Sequence, residues 1–231
     1  YSALSLCIMD IEKKINPKIS SEFFFNKASF LSRLGSGSAS RSVLGPLVIW
    51  GKTDLFKNSS DLYAVKYLDK IHNNFRNIQD TILLVDKGQK HISSTVGHGL
   101  MNDHSFSGDR LNQVEKNMKL LNKILVSGDF DAFTNIVELE ALTLHAMMMT
   151  SNPYYLLIKP NTLNIINEIW NYRKNTNSEV CFTLDAGANI HMLYPKKNFN
   201  TIQKFINEKL SKYCQKGEFI NDHVGYGPNK L

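Results

Sequence analysis

Between Gly35 and Arg41 the chain reads Gly-Ser-Gly-Ser-Ala-Ser-Arg. Small residues let the backbone approach a ligand closely, successive N–H groups and serine hydroxyls donate hydrogen bonds, and a guanidinium binds two anionic oxygens at once. That is the chemistry of a phosphate or diphosphate cradle, with Ser36, Gly37, Ser38 and Arg41 as its candidate residues. The spacing matches neither the GxxxxGK(S/T) phosphate loop nor GxGxxG after a strand, so an ordinary tight turn stays open beside the anion site. A flexible linker does not fit, because Arg41 is followed by Leu-Val-Ile-Trp from Leu47.

A second candidate is Asp185, in Phe-Thr-Leu-Asp-Ala-Gly-Ala-Asn. An acid at the end of a strand, followed by small residues, sits where ligands of mixed folds often lie, and Asn189 would add a polar contact. The competing reading is an Asx-type turn between two strands. A third candidate is Ser93-Ser94-Thr95, between a strand and a helix that begins near Ser105 or Phe106, where hydroxyls and turn N–H groups could meet an anion. Loop and capping chemistry is the alternative there, above all for Ser105. His98 and His104 match no metal-ligand spacing, and no metal site is expected. His145 precedes Met147-Met148-Met149 on a helix apolar nearly all round, where core packing of a hydrogen-bonded histidine is the expectation.

The elements that must position these residues alternate irregularly. Leu4, Ile8, Ile11 and Ile15 fall at helical spacing, Asn16-Pro17 breaks that helix, and Phe23, Phe24 and Phe25 are expected in a core. A strand is expected over 47–50, a short amphipathic helix over 62–71 and a strand over 81–86. Helices follow over 105–126 (Leu111, Val114, Met118, Leu121 and Leu125 in register), 130–148, 162–173 and 199–213. Strands are expected over 179–184 and 190–194, and the segment from Glu218 is strand-like. Trp50 and Trp170 read as core residues. Without a regular βαβα alternation the class is α+β, with a domain boundary near 77–80 that gives domains 1–78 and 79–231.

The bulk properties narrow the function. Of 231 residues 42% are hydrophobic, which suits a globular chain, and the apolar runs fall far short of the ~20 residues that cross a bilayer. The net charge of +6 is spread, with lysines scattered among acids, so a small anionic ligand fits at least as well as nucleic acid. Three cysteines without a CxxC pair argue against a disulfide framework and a zinc site, and for a reducing cytoplasm. Because the chain opens at Tyr1 inside a helical pattern, it is expected to be a fragment whose beginning is missing.

Together, GSGSASRSVLGPLVIW (35–50), SSTVGHGLM (93–101), HAMMMTSNP (145–153) and CFTLDAGANIHMLYP (181–195) resemble, in this order, the diphosphomevalonate decarboxylase family of the GHMP kinase superfamily. The resemblance spans essentially the whole chain. It implies a two-domain GHMP kinase fold: an incomplete ribosomal-protein-S5-like N-terminal domain and a ferredoxin-like C-terminal domain. It implies ATP-dependent decarboxylation of mevalonate 5-diphosphate to isopentenyl diphosphate, with ATP and Mg2+ as the co-substrate complex. Asp185 falls on the family's catalytic aspartate and Arg41 on its substrate-facing arginine, while Ser36, Gly37, Ser38 and Ser94 line the substrate site.

There are departures from the family pattern. Thr95 stands where some members carry a basic residue, and Pro46 where a second glycine is usual after Gly45. The family's ATP loop and N-terminal lysine have no counterpart here, so the ATP contacts are unassigned and the chain alone is expected to be inactive. A homodimer is expected from the family's common state, and neither a nucleic-acid nor a membrane partner is. The alternatives are a phosphomevalonate decarboxylase, a mevalonate 3-kinase-like member, or a non-catalytic anion-binding module.

Overall fold

The computed structural model describes residues 1–88, 99–101 and 103–228. They form two compact units, one of Tyr1–Asp69 with Gly225–Leu231 and one of Lys70–Val224.

In the first unit, α1 (Ser2–Ile15) and α2 (Ser21–Gly35) pack together around Met9, Phe24, Ala28 and Val43. The Ser20 hydroxyl caps α2 by accepting from the Phe23 N–H at 3.1 Å, and Lys27 of α2 pairs with Glu12 of α1 at 2.7 Å. A 3₁₀ helix, Gly37–Val43, follows α2 almost directly. The two-residue strands β1 (Val48–Ile49) and β2 (Val65–Lys66) then pair antiparallel.

Several expectations fail in this unit for identifiable reasons. Of the three consecutive phenylalanines only Phe24 is buried, because neighbours on a helix point about 100° apart and one face alone meets the core. The stripe of Leu4, Ile8, Ile11 and Ile15 has the predicted helical spacing but lies exposed, while Ser5 and Met9 face inward. No helix forms over 62–71. The Ala64 N–H is taken by the Ser29 hydroxyl and Val65 pairs with Ile49, so tertiary bonds override the local pattern. Trp50 is 39% exposed, its indole N–H donating to the Asp61 carbonyl at 3.0 Å.

The second unit runs α3 (Asn73–Arg76), β3 (Ile78–Leu83), α4 (Ser107–Ser127), α5 (Phe130–Met149), α6 (Pro160–Thr176), β4 (Cys181–Leu184), β5 (Ile190–Pro195), α7 (Phe199–Phe205) and β6 (Phe219–His223). After α7 the helix widens into a π turn, Ile206–Leu210, and then tightens into a 3₁₀ turn, Ser211–Tyr213, where a uniform helix is expected from the sequence. The sheet order β4-β5-β3-β6 is antiparallel at every pairing, the split arrangement of a ferredoxin-like domain. Alternation sends Thr81 and Leu83 of β3 and Ile190, Met192 and Tyr194 of β5 to one face, where they are buried with Ile165, Ile169, Ile202 and Phe205. Hydrophobic burial there is the main stabilising term.

The short α3 belongs to this unit: the His72 N–H donates to the Leu125 carbonyl at 2.8 Å, and the Phe75 ring packs on Phe130 and Phe133. The two compact units divide between Asp69 and Lys70. Gly128 ends α4 with φ +86°, and a Cβ there would sit 2.3 Å from the His72 ring, so the turn requires glycine twice over. Trp170 is 39% exposed and donates to Glu138, whose buried carboxylate also holds Arg173. Leu111 is exposed at the start of α4.

Candidate active-site segments

In the first unit the small-residue segment is a braced turn. Ser40 Oγ donates to the Gly37 carbonyl at 2.7 Å, and the fully buried Ser29 of α2 donates to the Ser40 carbonyl at 2.8 Å. Gly37 is required by close approach, since a Cβ there would come within 2.9 Å of the Trp50 ring. These bonds occupy Ser29 and Ser40 with scaffolding and leave the other face of the turn open.

That face lines a cavity of about 640 Å³, to which Ser36, Ser38, Arg41 and Ser42 contribute polar groups and Leu47 and Val48 apolar ones. Ser36 and Ser38 have their hydroxyls 3.3 Å apart. Arg41 is exposed and makes no ion pair among the described residues. Of the expected ligands, then, Ser36, Ser38 and Arg41 come together, whereas Gly37 serves the turn and does not line the cavity. A larger cavity of about 900 Å³ in the same unit, walled by Leu6, Phe24 and Val43, contains none of the expected site residues.

In the second unit Asp185 follows β4 by one residue, just past the last ladder pair, Leu184 with Ile190. Its backbone carbonyl accepts from His145 Nε2 at 3.1 Å. Three residues on, the Ala188 carbonyl accepts from Thr162 Oγ1 at 2.8 Å, and Asn189 Oδ1 accepts from the Asp86 N–H at 2.9 Å. The turn is thus pinned from α5, from the first turn of α6 and from the residues after β3. The Asp185 side chain itself is exposed and makes no hydrogen bond among the described residues. An Asx turn would have spent that carboxylate on nearby N–H groups, so the Asx reading is overturned. Asn189, expected to face a ligand, instead holds the backbone.

The remaining candidates separate. Ser93, Ser94, Thr95 and His98 lie outside the described residues. His104 accepts from the Phe106 N–H at 3.1 Å and meets Thr150 Oγ1 at 3.0 Å, so it, and not Ser105, organises the entry to α4. Among the described residues no group of three or more His, Cys, Asp and Glu could hold a metal ion. Burial pushes the Cys214 thiol up to about 11 and the Cys181 thiol higher still, which removes both as nucleophiles. No helix among the described residues is long and apolar enough to cross a membrane.

His145 is the buried, hydrogen-bonded core histidine that the sequence leads one to expect, at 1% exposure. Its partner and that of Thr162 carry no local signal, because they are 40 and 26 positions away.

The family model for the mevalonate 5-diphosphate decarboxylase C-terminal domain matches residues 81–227. A diphosphomevalonate decarboxylase of Ganoderma lucidum is 28% identical over 204 residues, which cover 85% of this chain and 49% of that protein. A phosphomevalonate decarboxylase of Haloferax volcanii is 21% identical, covering 78% of this chain and 53% of its own length. A solved structure described as "MDDEF in complex with MVAPP, AMPPCP and Magnesium" is 26% identical with a TM-score of 0.73, covering 91% of this chain and 60% of that one. The chain spans about half the length of the curated relatives it matches.

Proposed function

The chain belongs to the mevalonate 5-diphosphate decarboxylase family, and from that premise we propose that it contributes the substrate-holding arginine and the catalytic aspartate of an ATP-dependent decarboxylase acting on mevalonate 5-diphosphate. The observation that carries the reading is the Asp185 turn: three long-range bonds fix its backbone, and the carboxylate is left free. A carboxylate so placed is available for reaction without first breaking a bond of its own.

The reaction asks for such a group. The tertiary C3 hydroxyl of the substrate is a poor nucleophile; Asp185 orients it and takes its proton as the oxygen attacks the γ-phosphoryl group of ATP, releasing ADP. The C3–O bond to the new phosphate then breaks, the neighbouring carboxylate leaves as CO2, and the electron pair of the broken C–C bond forms the alkene of isopentenyl diphosphate. Positive charge develops at C3 as phosphate departs, and Asp185, having passed the hydroxyl proton on to the departing phosphate or to water, is again a carboxylate and stabilises it. In the first unit Arg41 holds the substrate's anionic groups by charge-assisted hydrogen bonds, with Ser36 and Ser38 donating beside it and Ser94 as a further diphosphate contact.

ATP with Mg2+ is the phosphoryl donor in this reading, supported by the solved relative bound to AMPPCP and magnesium. The described residues offer no acidic or histidine cluster to hold that ion, so no step here is assigned to a metal ligand of this chain. A cytoplasmic setting belongs to the same reading, suited by three free cysteines, as do a homodimer and the absence of a nucleic-acid partner.

The test uses the full-length protein that carries this chain, incubated with ATP, magnesium and mevalonate 5-diphosphate while CO2 and ADP are followed together. Equal release of both is expected, and ADP without CO2 would make it a kinase. The Haloferax relative motivates the one competing substrate, the 5-monophosphate. Turnover of that compound in preference to the diphosphate would replace the reading.

A further inference from the structure

We propose that His145 is a positioning residue for Asp185, setting the height of the carboxylate above the sheet through a hydrogen bond donated from Nε2 to the Asp185 carbonyl. This rests on the role just given to Asp185.

Asp185 stands just past the ladder of β4 with β5, which closes at Leu184 and Ile190, so its carbonyl is not satisfied by strand pairing. Without a protein donor at that point the peptide would be free to turn toward water or another donor. His145 supplies the donor from α5, and its side chain is only 1% exposed, so no water competes for the bond from the His145 side. If the carbonyl lost its partner, the backbone of residue 185 would readjust at both φ and ψ, tilting its Cα–Cβ bond and with it the carboxylate. Because Thr162 and Asn189 hold the far end of the turn, the His145 bond fixes the near end that carries the reacting group.

The bond also fixes the protonation of the ring. A carbonyl only accepts, so Nε2 must carry hydrogen. Burial holds the His145 pKa below the ordinary histidine value, with the bond to Asp185 opposing, and the neutral ring is therefore the Nε2–H tautomer. His145 touches neither of the proposed reacting groups; its effect passes through the backbone.

Two variants of the full-length enzyme and one spectrum test this. His145→Leu removes the donor at similar bulk, and kcat is expected to fall by about 10- to 100-fold with KM for mevalonate 5-diphosphate nearly unchanged. His145→Gln presents an amide N–H where Nε2 lies and is expected to recover most of that loss. Wild-type kcat in His145→Leu, or equal losses in the two variants, would overturn the proposal in favour of a packing role. Should His145→Leu fail to fold, ¹⁵N NMR of the wild-type imidazole decides. Hydrogen on Nε2 is expected at neutral pH, and hydrogen on Nδ1 with a bare Nε2 would refute the bond. Absence of CO2 and ADP release by the wild type is a separate result: it removes the functional reading, while the spectrum still reports on the bond.

Discussion

Arg41 and Asp185 are carried by two short turns that are stiffened by different means. Around Arg41 most of the bracing is short-range: Ser40 bonds back three residues to Gly37, and Ser29 reaches 11 positions ahead to Ser40. Around Asp185 it comes from 40, 26 and 103 positions away, through His145, Thr162 and Asp86. The first turn owes its shape to its own small residues. The second owes its shape to the domain, which explains why its one charged side chain is free of structural duty. In the role proposed for Arg41 some give is tolerable, because an arginine adjusts through its long stem. In the role proposed for Asp185, which has to meet one hydroxyl, less is, and distant elements hold its turn.

The largest expected effect comes from removing that free carboxylate. In the full-length enzyme Asp185→Ala should lower kcat by roughly two to four orders of magnitude while substrate still binds. Its melting temperature should stay near wild type, since the carboxylate is exposed and holds no hydrogen bond among the described residues. A large drop in melting temperature with modest loss of kcat would mean that the carboxylate braces its own turn, and the contrast would be lost. Next in size is Arg41→Lys, for which kcat/KM should fall about tenfold despite the retained charge, because the two-pronged contact is gone. An unchanged kcat/KM would take Arg41 out of contact with substrate.

What could be read in advance divides along the same line. Gly35 to Arg41 announced a tight turn because the small residues that build it are contiguous, and the helices over 107–127 and 130–149 and the strands flanking Asp185 were visible as periodicity. Asp185 was singled out only through resemblance, for an acid before small residues also fits an Asx turn. Where its three supports reach was not legible: a buried histidine, a helix-start threonine and an asparagine look the same whichever turn they brace. The phenylalanine run and residues 62–71 failed because composition does not say which helix face meets a core, nor that Ser29 would claim the Ala64 N–H.

Ser29 gives the comparison its stability test. Its buried hydroxyl accepts from Ala64 at 2.9 Å and donates to Ser40 at 2.8 Å, so Ser29→Ala strands a backbone donor and a backbone acceptor together. A loss of about 1–3 kcal/mol is expected in urea unfolding, with KM raised more than kcat is lowered, because the loosened turn is the one that clamps. If kcat fell and KM held, the turn would be positioning the reacting centre as the Asp185 turn does.

The smallest effect lies beside Asp185 on the sheet. His191 Nδ1 is 2.9 Å from Asp80 Oδ2 across the β3–β5 pairing, and Asp222 stands opposite Asp80 on β6. The bond to Asp80 raises the His191 pKa against the opposing effect of burial, and the charges of Asp80, Asp185 and Asp222 push the same way. A histidine whose folded pKa is raised binds its proton more tightly when folded. Its contribution is therefore complete below the unfolded value of about 6.5 and lost as pH climbs through the folded value. Unfolding of wild type against Asp80→Asn should differ by at most ~1 kcal/mol below that value, and the two should converge at alkaline pH. A difference that grew with pH would reverse the sign and dismiss the ion pair. Because Asp185 adds to the same field without touching the ring, Asp185→Ala should lower the His191 pKa by less than Asp80→Asn does. Proton NMR titration of His191 in both variants would then report, independently of catalysis, how closely the free carboxylate is held to the sheet.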